Sequence, residues 1–257
     1  MVRSFSLRIK LNKYIDIITT LGRISVGKLW PFPEMEHISN KQKILVISPH
    51  PDDDVIGCGG TLKLFCENGS QIKIIIITDG RYATGTADTH DLVSIRKEEE
   101  KLGSGILGCN DLIFLDNIDT KLRANKKNKE AILGLLKDFN PDKIFVPSIF
   151  ENHPDHIESA VILAYALREY QGHPLCYCYE VWNPVFPNTL VDITSRVEDK
   201  AKAINAHWSQ VTHQNFVNSI LGLNSYRAFG LGREIKSCEA FYKCSKEEFI
   251  NLVLHRF

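Results

Sequence analysis

The sequence has no excess of charge of either sign, since its 257 residues carry 31 lysines and arginines against 31 aspartates and glutamates. A neutral chain offers no overall electrostatic attraction to nucleic acid, so we expect no nucleic-acid partner. The sequence also shows no internal repeat and no low-complexity tract, and nothing in it indicates disorder. Its 44% hydrophobic and 24% charged residues are ordinary for a folded domain.

None of the seven cysteines forms a Cys-x-x-Cys pair, which excludes the spacing of a zinc ribbon. Cys176 and Cys178 alternate along an apparent strand and therefore point to the same face, while the other five are scattered along the chain. We expect all of them to be reduced, buried thiols in a cytoplasmic protein.

The first 40 residues lack the apolar run of roughly 18 residues that a membrane-spanning helix requires. They also lack the compact apolar core and small-residue cleavage site of a signal peptide. Six basic residues are interleaved with apolar ones, which predicts a basic amphipathic extension over residues 1–40 before a domain over residues 41–257. Two interpretations are open: peripheral contact with an anionic membrane surface, or packing on the domain itself or on a partner subunit of a homo-oligomer.

From position 42 onward, short β-branched runs alternate with helical patterns. Buried strands are predicted at 43–48, 71–78, 111–115 and 143–147, and helices at 59–68, 91–107, 126–139 and 157–170. This alternation is typical of a parallel sheet with right-handed crossovers. We therefore predict a Rossmann-like, three-layer α/β/α domain with a mostly parallel sheet. In the Rossmann strand order the first and fourth of these strands are neighbours, and the loops after them jointly build a ligand site.

Those two loops hold the densest clusters of metal-capable side chains in the chain, at residues 50–54 (His-Pro-Asp-Asp-Asp) and 151–156 (Glu-Asn-His-Pro-Asp-His). A mixed histidine and carboxylate set suits a catalytic Zn²⁺ with one open position. Each loop by itself is also compatible with ordinary turn chemistry. A nucleotide site at residues 57–60 is a further alternative, but Leu62 replaces the third glycine of the dinucleotide fingerprint and the acidic loop would repel a pyrophosphate.

The segment Pro-His-Pro-Asp-Asp-Asp-Val-Ile-Gly-Cys-Gly-Gly-Thr-Leu at 49–62, together with His-Pro-Asp-His at 153–156, resembles the signature of a known family. That family is the PIG-L/LmbE-like family of zinc-dependent N-acetylglucosamine-type deacetylases. Further matches are Thr-Asp-Gly at 78–80, Arg96 with Glu99, Lys200 with Ala203, His-x-Ser-Gln at 207–210 and the segment 232–241. The resemblance extends from about residue 42 to residue 243 and leaves the N-terminal extension outside.

The resemblance implies roles for individual residues. His50, Asp53 and His156 would hold the Zn²⁺, and Fe²⁺ is an alternative metal for such a set. Asp52, beside the metal rather than on it, would act as general base on the attacking water. His153 would stabilise the tetrahedral intermediate and assist departure of the amine, for which a histidinium is suited.

Three further residues have expected supporting roles. Arg96 resembles the family's substrate-contacting arginine, and an ion pair with Glu99 on the same helix face is the alternative. Asp155 is expected to orient one of the histidine rings, with a plain turn residue as the alternative. Asp54 stands where the family commonly has glutamate. We expect it either to support the metal ligands from behind or to stabilise the turn of the loop.

Together these features predict a zinc-dependent hydrolase that removes the N-acetyl group from a GlcNAc-containing glycoconjugate or aminosugar. The expected partner is a small-molecule or lipid-linked N-acetyl aminosugar substrate, and the expected location is cytoplasmic, with the inner face of the membrane as an alternative. One rival function is another metal-dependent hydrolase, such as an O-deacetylase or esterase. The other rival is a catalytically silent sugar- or metal-binding module, which the presence of Asp52 disfavours because metal binding does not need it.

Overall fold

The computed structural model describes residues 33–82, 89–212 and 215–254, and in these ranges eight strands form one sheet. The strands are β1 (Glu34–Met35), β2 (Lys43–Ser48), β3 (Gln71–Thr78), β4 (Asp111–Asn117), β5 (Lys143–Pro147), β6 (Leu175–Tyr179), β7 (Thr189–Asp192) and β8 (Cys238–Ser245). The helices are α1 (Asp53–Glu67), α2 (Thr89–Leu107), α3 (Lys126–Phe139), α4 (Pro154–Glu169), α5 (Val197–Asn205), α6 (Trp208–Val211), α7 (Phe216–Arg227) and α8 (Lys246–Leu254). A 3₁₀ turn at Thr194–Arg196 leads into α5.

The strand order across the sheet is β1-β7-β8-β6-β5-β2-β3-β4. Every pairing is parallel except those of β8, which runs antiparallel to both β6 and β7. Strand β2 lies between β3 and β5, so that Ile44 is opposite both Ile72 and Lys143. The predicted mostly parallel α/β fold is confirmed, and so is the predicted adjacency of the strands at 43–48 and 143–147.

Alternating residues of β2 pack into two hydrophobic cores on opposite faces of the sheet. Leu45 and Ile47 contribute to a core shared with α3, α4 and α8, whereas Ile44 and Val46 contribute to one shared with α1, α2 and α5. All four side chains are fully buried. A strand covered on both faces needs a continuous apolar sequence, which explains the run at 44–47 and gives the domain its three layers.

Helix α1 begins at Asp53 rather than at Gly59, where the sequence pattern predicted it, so the metal-capable loop runs directly into its first turn. The helix is kinked at Cys58, whose φ of −142° is not helical. At Gly57 it lies against the ring of Tyr179, since a Cβ atom there would be 2.1 Å from Cδ2 of the ring. Glycine disfavours a helix by propensity, so here tertiary packing determines where the helix starts.

A buried carboxylate stabilises the part of α1 that follows the kink. Glu239 of β8 accepts the backbone N–H groups of Gly60 and Thr61 at 2.8 and 2.7 Å. Lys200 of α5 donates to the same carboxylate at 2.6 Å, and both charged side chains are fully buried. The lysine and the carboxylate thus neutralise each other while they join α1, α5 and β8 behind the acidic loop.

Part of the predicted extension belongs to the sheet, because residues 33–40 include β1. Glu36, just beyond β1, accepts from Lys243 at 2.8 Å and also pairs with Lys143. Residues 1–32, which carry the predicted membrane-binding segment, lie outside the described ranges, so that prediction remains a prediction. Within those ranges, no helix is long and apolar enough to cross a membrane.

All seven cysteines are free, and six of them are buried. Cys176 of β6 lies opposite Cys244 of β8 in the antiparallel pair. The expectation of buried thiols holds for six of the seven and not for Cys66, which is half-buried, whereas the reduced state and the cytoplasmic location stay predictions.

Candidate active site

The loop that leaves β2 turns sharply into α1 at Asp52. This residue has φ 131° and ψ −24°, and such a backbone conformation costs a non-glycine residue about 1–3 kcal/mol. Arg96 of α2 stabilises the turn, because its Nη2 donates to the carbonyl of Pro51 and lies 3.0 Å from Oδ2 of Asp52. Its Nη1 donates to the carbonyl of Gly80 at 3.0 Å. The guanidinium therefore fixes both the strained backbone and the carboxylate.

Three predicted metal ligands converge from the two loops. Oδ2 of Asp53 lies 3.0 Å from Nδ1 of His50 and 3.1 Å from Nε2 of His156, and the two ring nitrogens are 3.2 Å apart. Ligand atoms at about 2.0–2.1 Å from a tetrahedral zinc ion lie about 3.3 Å from one another. The three donor atoms therefore fit one small divalent ion, with all three side chains buried.

The second nitrogen of His50 faces two further carboxylates. Nε2 lies 3.2 Å from Oδ1 of Asp119 and 3.3 Å from Oδ2 of Asp155. A proton on Nε2, held by these carboxylates, leaves the lone pair of Nδ1 free for a metal, an arrangement common for metal-binding histidines. Asp155 thus lies where the sequence analysis expected it, whereas Asp119 was missed.

Two other groups of side chains also lie close enough to hold an ion, namely His50 with His153 and His156, and His50 with Asp119 and Asp155. In the second group, Asp155 already accepts the backbone N–H of Thr120 at 2.7 Å. Oδ2 of Asp119, the carboxylate oxygen that does not face His50, accepts the N–H of Tyr82 at 3.0 Å. Oδ2 of Asp53 likewise accepts a backbone N–H, that of His50 at 2.9 Å. These hydrogen bonds therefore do not rank the groups, and the triangle of His50, Asp53 and His156 is the set that the two motifs imply.

The electrostatics of the site also favour a cation. Burial disfavours charge on His50, but the carboxylates of Asp119, Asp155 and Asp53 outweigh it and raise the pKa of this histidine well above its ordinary value. Burial likewise opposes ionisation of Asp53, yet His156 and His50 hold its pKa far below the ordinary range. The carboxylate of Asp53 is thus stabilised by positive charge at the place where a metal ion would supply it.

His156 is oriented by Glu151, a residue of the same loop to which the sequence analysis gave no separate role. Oε2 of Glu151 lies 3.5 Å from Nδ1 of His156. The same carboxylate accepts three backbone N–H groups of the segment after β6. The donors are Val181 at 2.9 Å, Trp182 at 3.1 Å and Asn183 at 3.3 Å. Glu151 therefore connects a predicted metal ligand to the opposite wall of the site.

His153 lies at the mouth of the site, half-buried, with its ring centroid 4.5 Å from that of His50. Burial, together with the nearby His50 and His156, lowers its pKa, so the neutral ring is favoured. Its Nδ1 accepts the backbone N–H of Asp155 at 3.2 Å as the N-cap of α4, which leaves the proton of the neutral ring on Nε2. The neutral ring thus presents a hydrogen-bond donor at Nε2, and the role implied for His153 by the family resemblance stays a prediction.

Asp52 and Asp54 differ in their surroundings although both are buried. Burial raises the pKa of Asp52 to about 7, against the opposing charge of Arg96. Burial also raises the pKa of Asp54 to about 6, although the hydrogen bond from Ser104 opposes the shift. Asp54 bridges Ser48 of β2 and Ser104 of α2 at 3.2 and 3.1 Å, so it supports the loop from behind.

A cavity of about 190 Å³ opens onto these groups. Its polar side is formed mainly by His50, Asp52, Asp53, Arg96, Asp119 and His153, and its apolar side by Ile56, Val181, Trp182 and Phe216. A larger open depression of about 630 Å³ near Phe229 has no histidine or carboxylate among its described lining residues. The smaller cavity is therefore the one that carries chemistry.

A family model described as PIG-L, GlcNAc-PI de-N-acetylase, matches residues 45–167, a segment that contains both loops. The diacetylchitobiose deacetylase of Thermococcus kodakarensis is 30% identical over 194 residues, which cover 68% of this chain and 72% of that protein. The chain belongs to the PIG-L family. The family membership predicted from the two motifs is therefore confirmed.

Solved structures show the same PIG-L fold in proteins with different reactions. The N,N'-diacetylchitobiose deacetylase of Pyrococcus horikoshii superposes with a TM-score of 0.71 at 26% identity, over 80% of this chain and 84% of that one. The 4-carboxy-2-hydroxymuconate hydratase of Pseudomonas putida superposes equally well, with a TM-score of 0.71 over 79% of this chain and 95% of that one, but at 22% identity it shows the fold alone. The reaction must therefore be argued from the site.

Proposed function

We propose that this protein is a zinc-dependent deacetylase that removes the N-acetyl group from a GlcNAc-containing glycoconjugate or aminosugar. One observation carries the proposal: the donor atoms of His50, Asp53 and His156 lie 3.0–3.2 Å apart, with the carboxylate of Asp52 next to them in the chain and on the same cavity. The two relatives described above that are at least 26% identical are deacetylases by name, which supports removal of an acetyl group. Metal dependence and the sugar are the parts that experiment has to decide.

His50, Asp53 and His156 are the residues that would hold the ion, and two of them, His50 and Asp53, line the cavity. A divalent ion bound there supplies a Lewis acid for the acetyl carbonyl and lowers the pKa of a coordinated water. Zn²⁺ suits this His₂Asp set, and Fe²⁺ is the alternative. Asp119 and Asp155 hold the His50 ring in the tautomer that binds through Nδ1.

Asp52 acts as the general base. Its carboxylate is held by Arg96 at 3.0 Å, and burial raises its pKa to about 7, close to the value at which a base is most effective near neutral pH. It takes the proton of the attacking water and keeps it within the cavity. Arg96 is thereby first a positioning residue for the base, and any contact that it makes with substrate is additional.

His153 faces the reacting group from the other loop. Its Nε2–H lies on the same cavity as Asp52 and, in the neutral ring, is suited to donate a hydrogen bond that stabilises the tetrahedral intermediate. The proton that the departing amine needs is the one that Asp52 has taken from the water, so the proton count closes without ionising the neutral ring. Asp155, which donates its backbone N–H to Nδ1 of His153 while its carboxylate faces His50, holds both rings in position.

A deacetylation screen tests the proposed function. The full-length protein, loaded in turn with Zn²⁺ and Fe²⁺, is assayed for acetate and free amine on N-acetylglucosamine, its β-1,4-linked disaccharide and O-acetyl sugars, with metal content measured on the same sample. Release of acetate and amine from the N-acetyl sugars supports the proposal. Acetate from O-acetyl sugars alone points to an esterase, and no release with a loaded metal site leaves a binding module or a different reaction.

A lipid-linked substrate, peripheral membrane contact and homo-oligomerisation are further proposals that rest on the basic sequence of residues 1–40. Because β1 belongs to the sheet, the test replaces Arg3, Arg8, Lys10 and Lys13 by glutamine in the full chain instead of deleting the segment. The wild type should bind to anionic vesicles, and the variant should not. Equal binding of both proteins would end the membrane proposal.

A further inference from the structure

The cavity has an apolar wall that the proposed chemistry does not use. Trp182 forms its outer part and is 49% exposed, and its ring lies edge-on to that of Phe216, with centroids 6.1 Å apart at an angle of 63°. A single exposed aromatic residue is ordinary on a protein surface. This one, however, lines the cavity that Asp52 also lines, so a ligand that enters the cavity can contact it.

The backbone that carries Trp182 is held firmly. The buried carboxylate of Glu151 accepts the N–H of Trp182 at 3.1 Å, and it lies 3.5 Å from Nδ1 of His156. The next residue, Asn183, accepts from the side chain of Asn152 at 2.9 Å. One carboxylate therefore sets the position of the aromatic wall relative to the metal-binding triangle, as expected for a group that must meet a ligand in a defined register.

The size of the cavity limits what it encloses. At about 190 Å³ it is smaller than the range of about 300–1,000 Å³ that is typical of pockets for drug-sized ligands. It has room for a small group such as the acetylated ring, while a second ring would lie at the mouth. Trp182 is the large apolar side chain at that mouth whose backbone is fixed to the metal-binding loop.

We propose that Trp182, supported by Phe216, is a stacking platform for the pyranose ring next to the acetylated residue. This inference rests on the proposed function and specifies its substrate class as a saccharide of at least two rings rather than a free monosaccharide. A pyranose ring has an apolar C–H face and a polar edge, and an indole offers a large flat surface with little conformational freedom to lose. A contact with the neighbouring ring, which takes no part in the reaction, stabilises the bound substrate and the transition state alike. Its loss should therefore raise KM more than it lowers kcat.

The kinetic test compares the β-1,4-linked disaccharide of N-acetylglucosamine with the monosaccharide. In wild type, kcat/KM should be higher for the disaccharide, and in Trp182→Ala the ratio of the two kcat/KM values should fall about tenfold, chiefly through KM of the disaccharide. Trp182→Phe should recover part of the ratio. Because a partly unfolded variant loses both activities in proportion, the ratio reports recognition rather than folding.

Tyr226→Ala is the matched control, since Tyr226 is also an exposed aromatic residue, 71% exposed, but borders the separate open depression. It should leave the ratio at the wild-type value. An unchanged ratio in Trp182→Ala, or an equal fall in Tyr226→Ala, overturns the platform.

A binding experiment separates failure of the platform from failure of the proposed function. The chain has three tryptophans, so Trp30→Phe with Trp208→Phe leaves Trp182 as the sole tryptophan, whose emission is excited selectively at wavelengths that tyrosine does not absorb, and Asp52→Asn stops turnover. The disaccharide should shift the emission saturably and at lower concentration than the monosaccharide. If wild type releases no acetate, the proposed deacetylase is wrong, yet the emission still decides the platform. Acetate release without any such shift overturns the platform alone.

Discussion

Nη2 of Arg96 lies 3.0 Å from Oδ2 of Asp52, in a site where the arginine is only 2% exposed. The family resemblance implies a substrate contact for Arg96, with an ion pair to Glu99 as the alternative. Glu99 instead accepts both the N–H and the hydroxyl of Ser209 at 2.6 and 2.7 Å, which joins α2 to α6. The main partner of Arg96 is thus the strained catalytic turn, and its contribution to catalysis should follow from that.

Replacing Arg96 by glutamine should lower kcat about a hundredfold while KM changes less than about threefold. The reason is that a general base displaced by about 1 Å loses about that much rate, whereas a substrate contact made in the ground state would appear in KM. Steady-state kinetics on an N-acetyl sugar measures both constants. Lys97→Gln is the control, because Lys97 is on the same helix but pairs with Asp116 at the surface.

Asp52 and His156 should separate metal binding from catalysis. Asp52→Ala should retain the metal and lose about 10²–10⁴ in kcat, because it removes the base and leaves the ligand triangle intact. His156→Ala should lose metal and activity together, since it removes one corner of that triangle. Elemental analysis after dialysis, paired with acetate assays, distinguishes the two. Full turnover by the Asp52 variant would contradict the proposed mechanism.

A methyl group at Gly57 should destabilise the domain. Its Cβ would lie 2.1 Å from Cδ2 of the buried Tyr179 ring, so Gly57→Ala requires either the kinked helix or the ring to move, at a cost of about 3 kcal/mol. Chemical denaturation measures the change in the free energy of unfolding. Gly134→Ala is the matched control in α3, where a Cβ atom meets nothing within 4 Å, and there we expect stabilisation of about 0.5–1 kcal/mol.

The two loops could be located from sequence because strand order and motif chemistry indicate the same edge of the sheet. His50, Asp53 and His156 converge there as the motifs imply. Asp119 could not be found in this way, because it is one aspartate after β4 in the ordinary sequence Asp-Asn-Ile-Asp-Thr, and only the sheet brings it to His50.

Other features depend on contacts that local patterns do not encode. The start of α1 was misplaced because the ring of Tyr179, some 120 positions further along the chain, and the carboxylate of Glu239 hold the glycine-rich turn. The neutral state of His153 likewise depends on its burial and on the neighbouring rings of His50 and His156. Propensity and spacing predict secondary-structure elements and motifs. The residues that a side chain contacts from distant parts of the sequence can be identified only once the fold is known.

Behind the catalytic turn lies a buried acid that the proposed mechanism does not use. Glu100 of α2 is fully buried, its Oε1 lies 2.7 Å from Oγ of Ser104, and its Oε2 lies 3.9 Å from Nε2 of His207. Burial, reinforced by the nearby carboxylate of Asp54, raises the pKa of Glu100 well above its ordinary value. The folded protein therefore retains a proton that the unfolded chain releases.

Glu100→Gln should consequently change how stability depends on pH. Below about pH 4.5 both states of the wild type hold the proton, so this group adds no pH dependence there. Above that pH the unfolded chain releases it, and wild-type stability falls by up to about 1.4 kcal/mol per pH unit until the folded protein also ionises. Glutamine has no such proton and preserves the size of the side chain, so the variant should be increasingly more stable than wild type from pH 5 to pH 8.

Urea denaturation at pH 5, 6, 7 and 8 gives the free energies of unfolding for this comparison. Glu98→Gln is the control, because Glu98 pairs with Lys101 on the exposed face of the same helix, where an ion pair contributes little. Its stability curve should parallel that of wild type. If the Glu100→Gln curve is also parallel to wild type, Glu100 ionises with the same pKa in both states, and the buried proton behind the catalytic turn does not exist.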